Sequence, residues 1–251
     1  MRIHVTDIPN YGDRLNRYMW ERLLSPKVGS VQPDAVFYGI GSTLHDKMLP
    51  AVSRIVFGAG YGGSYYGEPP VLDASWNIRF VRGPRTSAAL GGVSWASDPA
   101  ILLSLWHRRL PTQWPVSFMP HWKSQFDSKE IEAAGFHVIY PGRSVEEVIH
   151  DIASTELLLT EALHGAITAD TLRVPWVSIR GSEAHAFKWK DYCASLGQVW
   201  NPINMEEFTL SWARDYAVPQ LSALSILENR RKVLISEVNK LNDEIEKGSL
   251  L

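Results

Sequence analysis

The stretch TEALHGAITAD, residues 160–170, follows three consecutive leucines and places an acid, a histidine and a glycine where the chain changes direction. The apolar run ending at Thr160 reads as a buried strand, and HGAITADTLRV after it reads as a helix. His164 and Gly165 then stand in that helix's first turn. The free N–H groups and dipole of such a turn favour an anion, and Gly165 lets a phosphate come close. A histidine there can exchange a proton. The competing reading is a half-buried histidine capped by Thr160, with no chemistry to do. Upstream, Arg82 and Arg85 bracket a proline just after another strand. Guanidinium forks suit carboxylate and phosphate, which a carboxylated phosphate ester presents together.

Other chemistries find less support. GAGYGG, residues 58–63, satisfies G-x-G-x-x-G after a strand, but SYYGEPPVLDASW follows with two prolines and no helical period. A dinucleotide site needs a helix there and an acid about 20 residues on, and neither is present. The glycines serve better to bring a loop close to a neighbour or a substrate. There is no Walker A sequence, no H-E-x-x-H, no Asp-x-Asp pair and no G-x-S-x-G elbow. No metal ligands are assigned. The single cysteine, Cys193, excludes an intramolecular disulfide framework.

The elements that must position these residues alternate between strand and helix. RIHV, AVFYGI, RIVFGAG and IRFVRG read as strands, with DRLNRYMWERLL and PRTSAALGG as helices. After a break at 106–115, the rhythm returns. VSFMPHW, FHVIYP, ELLLT and PWVSI read as strands. DSKEIEAAG, SVEEVIHDIAST, HGAITADTLRV and FKWKDYCASLG read as helices, the second opening with a Ser144/Glu147 capping box. The pattern predicts an α/β protein with mostly parallel sheets. Its units are 1–110, 111–205 and a helical tail, 206–251. The tail's Leu227, Leu234, Val238, Leu241 and Ile245 fit either packing within the chain or a homodimer seam. With 251 residues, 45% hydrophobic, and a net charge of −2, the chain has material for a large core and no basic cluster for nucleic acid. The first ten residues lack the apolar region of a signal peptide, and no stretch is long enough for a membrane span. The expectation is a soluble, cytoplasmic protein, with a peripheral place at the inner face of the membrane left open.

In order along the chain, Asn10-Tyr-Gly12-Asp13, GIGS, VFGAGYG, VRGPRT, SDPAILL, PHW and ELLLTEALHGAITADTLRVPWV resemble the polysaccharide pyruvyl transferase family over roughly residues 1–205. The likeness is strongest to its short bacterial exopolysaccharide (succinoglycan) ketal pyruvate transferases. It implies two Rossmann-like domains facing across a cleft, similar to B-type glycosyltransferases, followed here by the long C-terminal helix. The first domain would carry the acceptor side and part of the donor site, and the second the donor side. The donor would be phosphoenolpyruvate, with no other cofactor, and the acceptor a terminal sugar, expected on a lipid-linked oligosaccharide. The product would be a cyclic pyruvate ketal. On that reading His164 is the general acid/base with His121 as the alternative, and Asp13 orients or deprotonates an acceptor hydroxyl. Arg82, Arg85, Gly165 and Lys188 hold the donor, with Lys190 a weaker candidate. Asn10, Tyr61, Trp122 and Trp189 face the acceptor. Many relatives carry an arginine two residues before the histidine where this chain has Ala162, so the donor's charge compensation must come partly from elsewhere, with Arg82, Arg85, His121 and Lys188 as the candidates. Two alternatives stay open: a sugar-nucleotide glycosyltransferase of the same fold, and a non-catalytic glycan-assembly subunit.

Overall fold

The computed structural model describes the chain except for residues 7, 32–33, 49, 182–184, 205–208, 210, 212, 214, 216–217 and 251. The described strands form two parallel four-stranded sheets. The first, in the order β1-β2-β3-β4, comprises β1 (Arg2–Ile3), β2 (Ala35–Tyr38), β3 (Ser53–Phe57) and β4 (Trp76–Phe80). The second, in the order β6-β5-β7-β8, comprises β5 (Trp114–Met119), β6 (His137–Val138), β7 (Thr155–Thr160) and β8 (Trp176–Ser178). Helices α1 (Tyr11–Leu23), α2 (Pro84–Ala89), α3 (Ser128–Ala133), α4 (Val145–Ala153), α5 (Leu163–Thr171), α6 (Ala186–Ser195) and α7 (Leu224–Lys247) complete the described elements, with 3-10 segments at Pro26–Gly29 and Pro99–Leu105.

The second sheet follows the expected alternation. Ser144 caps α4 and Glu147 answers on the Ser144 backbone, so both halves of the capping box form. The strand expected over FHVIYP shrinks to His137–Val138, because it sits at the sheet edge and pairs with β5 over two residues alone. The first half is less regular: no helix lies in the described parts of the β2–β3 and β3–β4 connections. Residues 58–63 continue into loop, so no helix start is offered to a pyrophosphate. At Gly60 a Cβ would overlap the Arg82 guanidinium, so this glycine serves close approach to a side chain.

Strand alternation sorts the core. In β7, Leu158 points into one apolar cluster while Leu157 and Leu159 point into another. In the first sheet Phe37, Ile55 and Phe57 share Leu158's cluster, and Val36, Tyr38 and Val56 face a third. One face of each sheet thus feeds a common core, filled by α1, α4, α5 and α7. Trp20 of α1 meets Phe37 and Phe57 edge-on there.

Helix α7 closes this core. Leu227, Leu234, Val238, Leu241 and Ile245 are all buried within the chain. The stripe that could have formed a seam between copies is therefore taken up internally. Polar contacts tie the helix to the N-terminal half: Ser25 N donates to Asn242 Oδ1 at 2.8 Å, Asn242 Nδ2 donates to Leu23 O at 2.8 Å, and Arg79 pairs with Glu244. Arg231, which interrupts the stripe, donates to Ser104 Oγ. No helix among the described residues is long and apolar enough to cross a membrane.

Candidate active site

Loops at the C-terminal ends of strands from both sheets meet around a cavity of about 240 Å³. Parallel α/β sheets place ligands at this end because the helices that follow present their N-termini there. Here three do so. Tyr11, Gly12 and Asp13 of α1, Leu163 and His164 of α5, and His185 and Lys188 at the start of α6 all line the wall. Each first turn leaves backbone N–H groups without an intrahelical acceptor and adds partial positive charge.

The side chains add more. Among the described residues, five histidines (His4, His45, His121, His164 and His185) and two lysines (Lys123 and Lys188) line the cavity against one carboxylate, Asp13. The His121 and His185 rings lie 4.3 Å apart. Burial, then the charges of Lys188, His185 and Lys123, push His121 down to about 3. Burial, then Lys188 and Lys123, push His185 down to about 4. Lys188 is held at about 8 by burial and by Arg82, against the pull of Asp13. Burial first, and the neighbouring cations second, keep both imidazoles neutral, and an entering anion offsets the repulsion from those cations. Lys123 N donates to His121 Nδ1 at 3.3 Å, so the neutral His121 ring carries its proton on Nε2. Glu161, the acid of the TEALHGA stretch, accepts from His121 N at 3.1 Å and so ties the loop after β5 to the one after β7.

A pH prediction follows from these shifts. Both histidines are depressed on folding, so between about 6.5 and 4 the unfolded chain binds protons that the folded site refuses. Their contribution to stability is complete above 6.5 and is lost as pH falls toward 4. His4, His45 and His107 are shifted in the same direction by burial, so the comparison must be relative. A His121→Gln/His185→Gln variant should show a shallower fall in Tm across this window than the parent, and inorganic phosphate should flatten the parent's own fall. Equal slopes in parent and variant, measured by scanning fluorimetry, would assign the acid sensitivity elsewhere.

Of the expected site residues, Asn10, Asp13, His121, Trp122, His164 and Lys188 line the cavity. Asn10 Nδ2 donates to Asp13 Oδ2 at 2.5 Å, fixing that carboxylate. His164 packs its ring on Gly12, where a Cβ would overlap Nδ1. The others lie outside the lining. Arg82 is fully buried, donating from Nε to Asp191 Oδ2 at 3.1 Å, from Nη1 to Ser42 Oγ at 3.1 Å and from Nη2 to Tyr61 O at 2.9 Å. Its guanidinium fork already holds protein groups, one of them the cavity-lining Ser42. Arg85 is exposed and engages Asp191 through its backbone N–H. Gly165 packs against Met119 Sδ and Thr160 Oγ1. Tyr61 is buried, its hydroxyl donating to Gly67 O. Trp189 is a core residue near Trp176 and Trp200, and Lys190 lies over Trp200. The donor clamp expected of Arg82, Arg85 and Gly165, and the sugar contacts expected of Tyr61 and Trp189, thus have no direct access to the cavity. His4, His45, Tyr65, Tyr66, Lys123 and His185 line it without having been singled out. His185 alone carried a usable signal, one helical turn before Lys188.

A family model for polysaccharide pyruvyl transferase matches residues 6–183, which contain most of the cavity wall. The chain belongs to this family. His185 and Lys188 lie just beyond the matched stretch, so the pyruvyl transferase segment and the start of α6 build the site together. The chain is also 35% identical over 204 residues to the succinoglycan biosynthesis protein ExoV of Rhizobium meliloti (strain 1021). That match covers 77% of this chain and 63% of the relative.

Proposed function

We propose that the chain transfers pyruvate from phosphoenolpyruvate to a terminal sugar of an exopolysaccharide repeat unit, forming a cyclic ketal. The observation that carries this reading is a small cavity whose described lining has seven basic side chains, three helix N-termini and one carboxylate. Phosphoenolpyruvate carries about three negative charges when ionised, which Lys188, Lys123 and the helix starts can balance without a divalent ion. Ala162 lines the wall without charge, so these groups supply what an arginine there would. At about 240 Å³ the cavity falls below the roughly 300–1,000 Å³ of drug-sized ligand pockets. A three-carbon donor with one sugar ring suits that space better than a sugar nucleotide. Loops of both sheets meeting at one rim support the two-lobed, glycosyltransferase-like plan.

The chemistry then divides among named side chains. Protonation of the donor's methylene carbon by His164 makes C2 electrophilic, and an acceptor hydroxyl adds there, its proton passing to Asp13 or back to His164. A second hydroxyl of the same sugar displaces phosphate from C2, its proton passing to Asp13 or leaving with the phosphate, and this closes the ketal. The neutral His121 and His185 rings and Lys188 hold the departing phosphate, and binding it draws protons onto the rings. Trp122 and the Tyr65–Tyr66 pair offer apolar walls for the sugar.

Phosphate release from phosphoenolpyruvate, measured against a panel of lipid-linked and synthetic glycans before and after EDTA treatment, tests this. The expected result is acceptor-dependent release that survives chelation, with a Tm rise from phosphoenolpyruvate and none from UDP-sugars. Stabilisation by UDP-sugars instead would favour a glycosyltransferase. A response to glycan alone, without phosphate release, would favour an assembly subunit. Loss of release on chelation, restored by metal, would give Asp13 an ion to hold.

Gly12 provides a sharper check. Gly12→Ala should fold normally, because alanine favours a helix, yet lose roughly 10²-fold in rate, because the added methyl must displace the His164 ring. A fully active Gly12→Ala enzyme would show that the ring position does not matter.

A further inference from the structure

Two buried polar atoms face each other beside the cavity, and neither has a hydrogen-bond partner. They are His164 Nε2 and Asp98 Oδ2, 3.5 Å apart. Asp98 is fully buried at the N-cap of the 3-10 segment Pro99–Leu105, where Oδ1 accepts from Ala100 N at 3.0 Å. Capping accounts for that oxygen only. Serine, threonine or asparagine caps as well, and none of them leaves a second carboxylate oxygen stranded in the interior. A buried carboxylate oxygen without a donor is costly to keep. Here it is aimed at the Nε2 edge of an imidazole whose opposite edge, Nδ1, lies over Gly12 at the cavity wall.

We propose that Asp98 is the positioning residue for His164. Its carboxylate accepts from Nε2–H, fixes the tautomer, and leaves Nδ1 as the nitrogen that works on substrate. This rests on the proton-transfer role proposed above for His164. The proton given to the donor's methylene carbon leaves from Nδ1, and Nδ1 takes one back from an acceptor hydroxyl. Through both transfers Nε2 keeps its own proton, and the carboxylate behind it stabilises the imidazolium that exists before Nδ1 gives its proton up and again after Nδ1 takes one back. The separation of 3.5 Å is long for a formed hydrogen bond. Catalytic contacts often tighten only when substrate is bound, and a ring displacement of about half an ångström closes this one.

Two variants separate positioning from capping. Asp98→Asn keeps an oxygen for Ala100 N and the shape of the side chain, but turns the second oxygen into a donor. Asp98→Ser keeps the cap alone. Both should retain a Tm within a few degrees of the parent, keep the KM for phosphoenolpyruvate within about threefold, and lose at least about 10²-fold in kcat. On a His164→Ala background, Asp98→Asn should cost nothing further, because residues acting as one unit are not additive. Histidine ¹⁵N spectra supply a readout independent of turnover: the parent should show His164 protonated on Nε2, and Asp98→Asn should move the proton to Nδ1. Parent-like kcat together with an unmoved tautomer would overturn the proposal and leave Asp98 as a cap only. If His164→Ala keeps its rate, the proton-transfer role of His164 fails, and the tautomer in Asp98→Asn still decides whether the carboxylate sets the ring.

Discussion

Replacing His164 with alanine should lower phosphate release by roughly 10²–10⁴-fold, the usual range for losing a general acid–base group. The ring is 13% exposed, in the first turn of α5, with one edge at the cavity and the other toward Asp98. Truncation removes no part of the central core, so the fold should survive. It does leave Asp98 without its facing group, which costs about 1–3 kcal/mol, so Tm should drop by several degrees and no more. His164→Gln restores a polar neighbour for Asp98 and separates the two effects. It should recover Tm while staying slow, because an amide cannot shuttle a proton at neutral pH. Single-turnover phosphate release with saturating donor gives the rate, and scanning fluorimetry gives the fold. A fast alanine variant would return His164 to the half-buried structural reading.

The largest loss of stability should come from Asp191→Ala. Arg82 and Asp191 are both fully buried and paired at 3.1 Å. Asp191 also accepts from Arg85 N and Thr86 N at 2.9 Å and from Thr86 Oγ1 at 2.6 Å. One carboxylate thus satisfies a guanidinium, a hydroxyl and two amides opening α2. Removing one member of a buried pair typically costs about 3–5 kcal/mol, because the surviving charge stays desolvated and unpaired. For a chain of this length that corresponds to a Tm fall of about 10 °C. The consequence reaches the cavity, since Lys188 lies three residues earlier on the same face of α6. Donor affinity should weaken along with Tm. Arg82→Met added to Asp191→Leu removes both charges but leaves Arg85 N, Thr86 N and the Thr86 hydroxyl without their acceptor, so it should regain only part of the stability and none of the affinity. Arg82→Lys should weaken donor use as well, because an ammonium cannot reach Asp191, Ser42 and Tyr61 O together. A Tm within two degrees of the parent for Asp191→Ala would show that water enters to solvate Arg82.

Much of this was legible where local rules decide. The capping box of α4, the strand ELLLT and the turn into LHGA are set by residues within a few positions of one another. His164, His121, Asp13, Asn10, Trp122 and Lys188 reached the cavity because loops after strands must converge at one end of parallel sheets. Arg82 shows where local reasoning stops. An arginine just past a strand looks ready for an anion, and nothing nearby reveals that its partner is an aspartate 109 residues away. Trp189 and Lys188 are neighbours on one helix, and a rotation of about 100° between them sends one into the core and the other to the cavity. Only the packing of α6 says which. The stripe on α7 was equally silent, since periodicity shows that a face is apolar and not whose surface it meets.

Helix α7 is translated more than a hundred residues after the segments Pro26–Gly29 and Pro99–Leu105 that it covers. While the ribosome works through the second sheet, Leu102, Leu103 and the neighbouring face of the common core have no lid. Nascent chains with such open faces are what chaperones hold and what aggregates when they do not. The burden of solubility during biosynthesis therefore falls on residues 224–247. A substitution that weakens their stripe should reduce the yield of soluble protein more than its effect on the finished molecule would suggest.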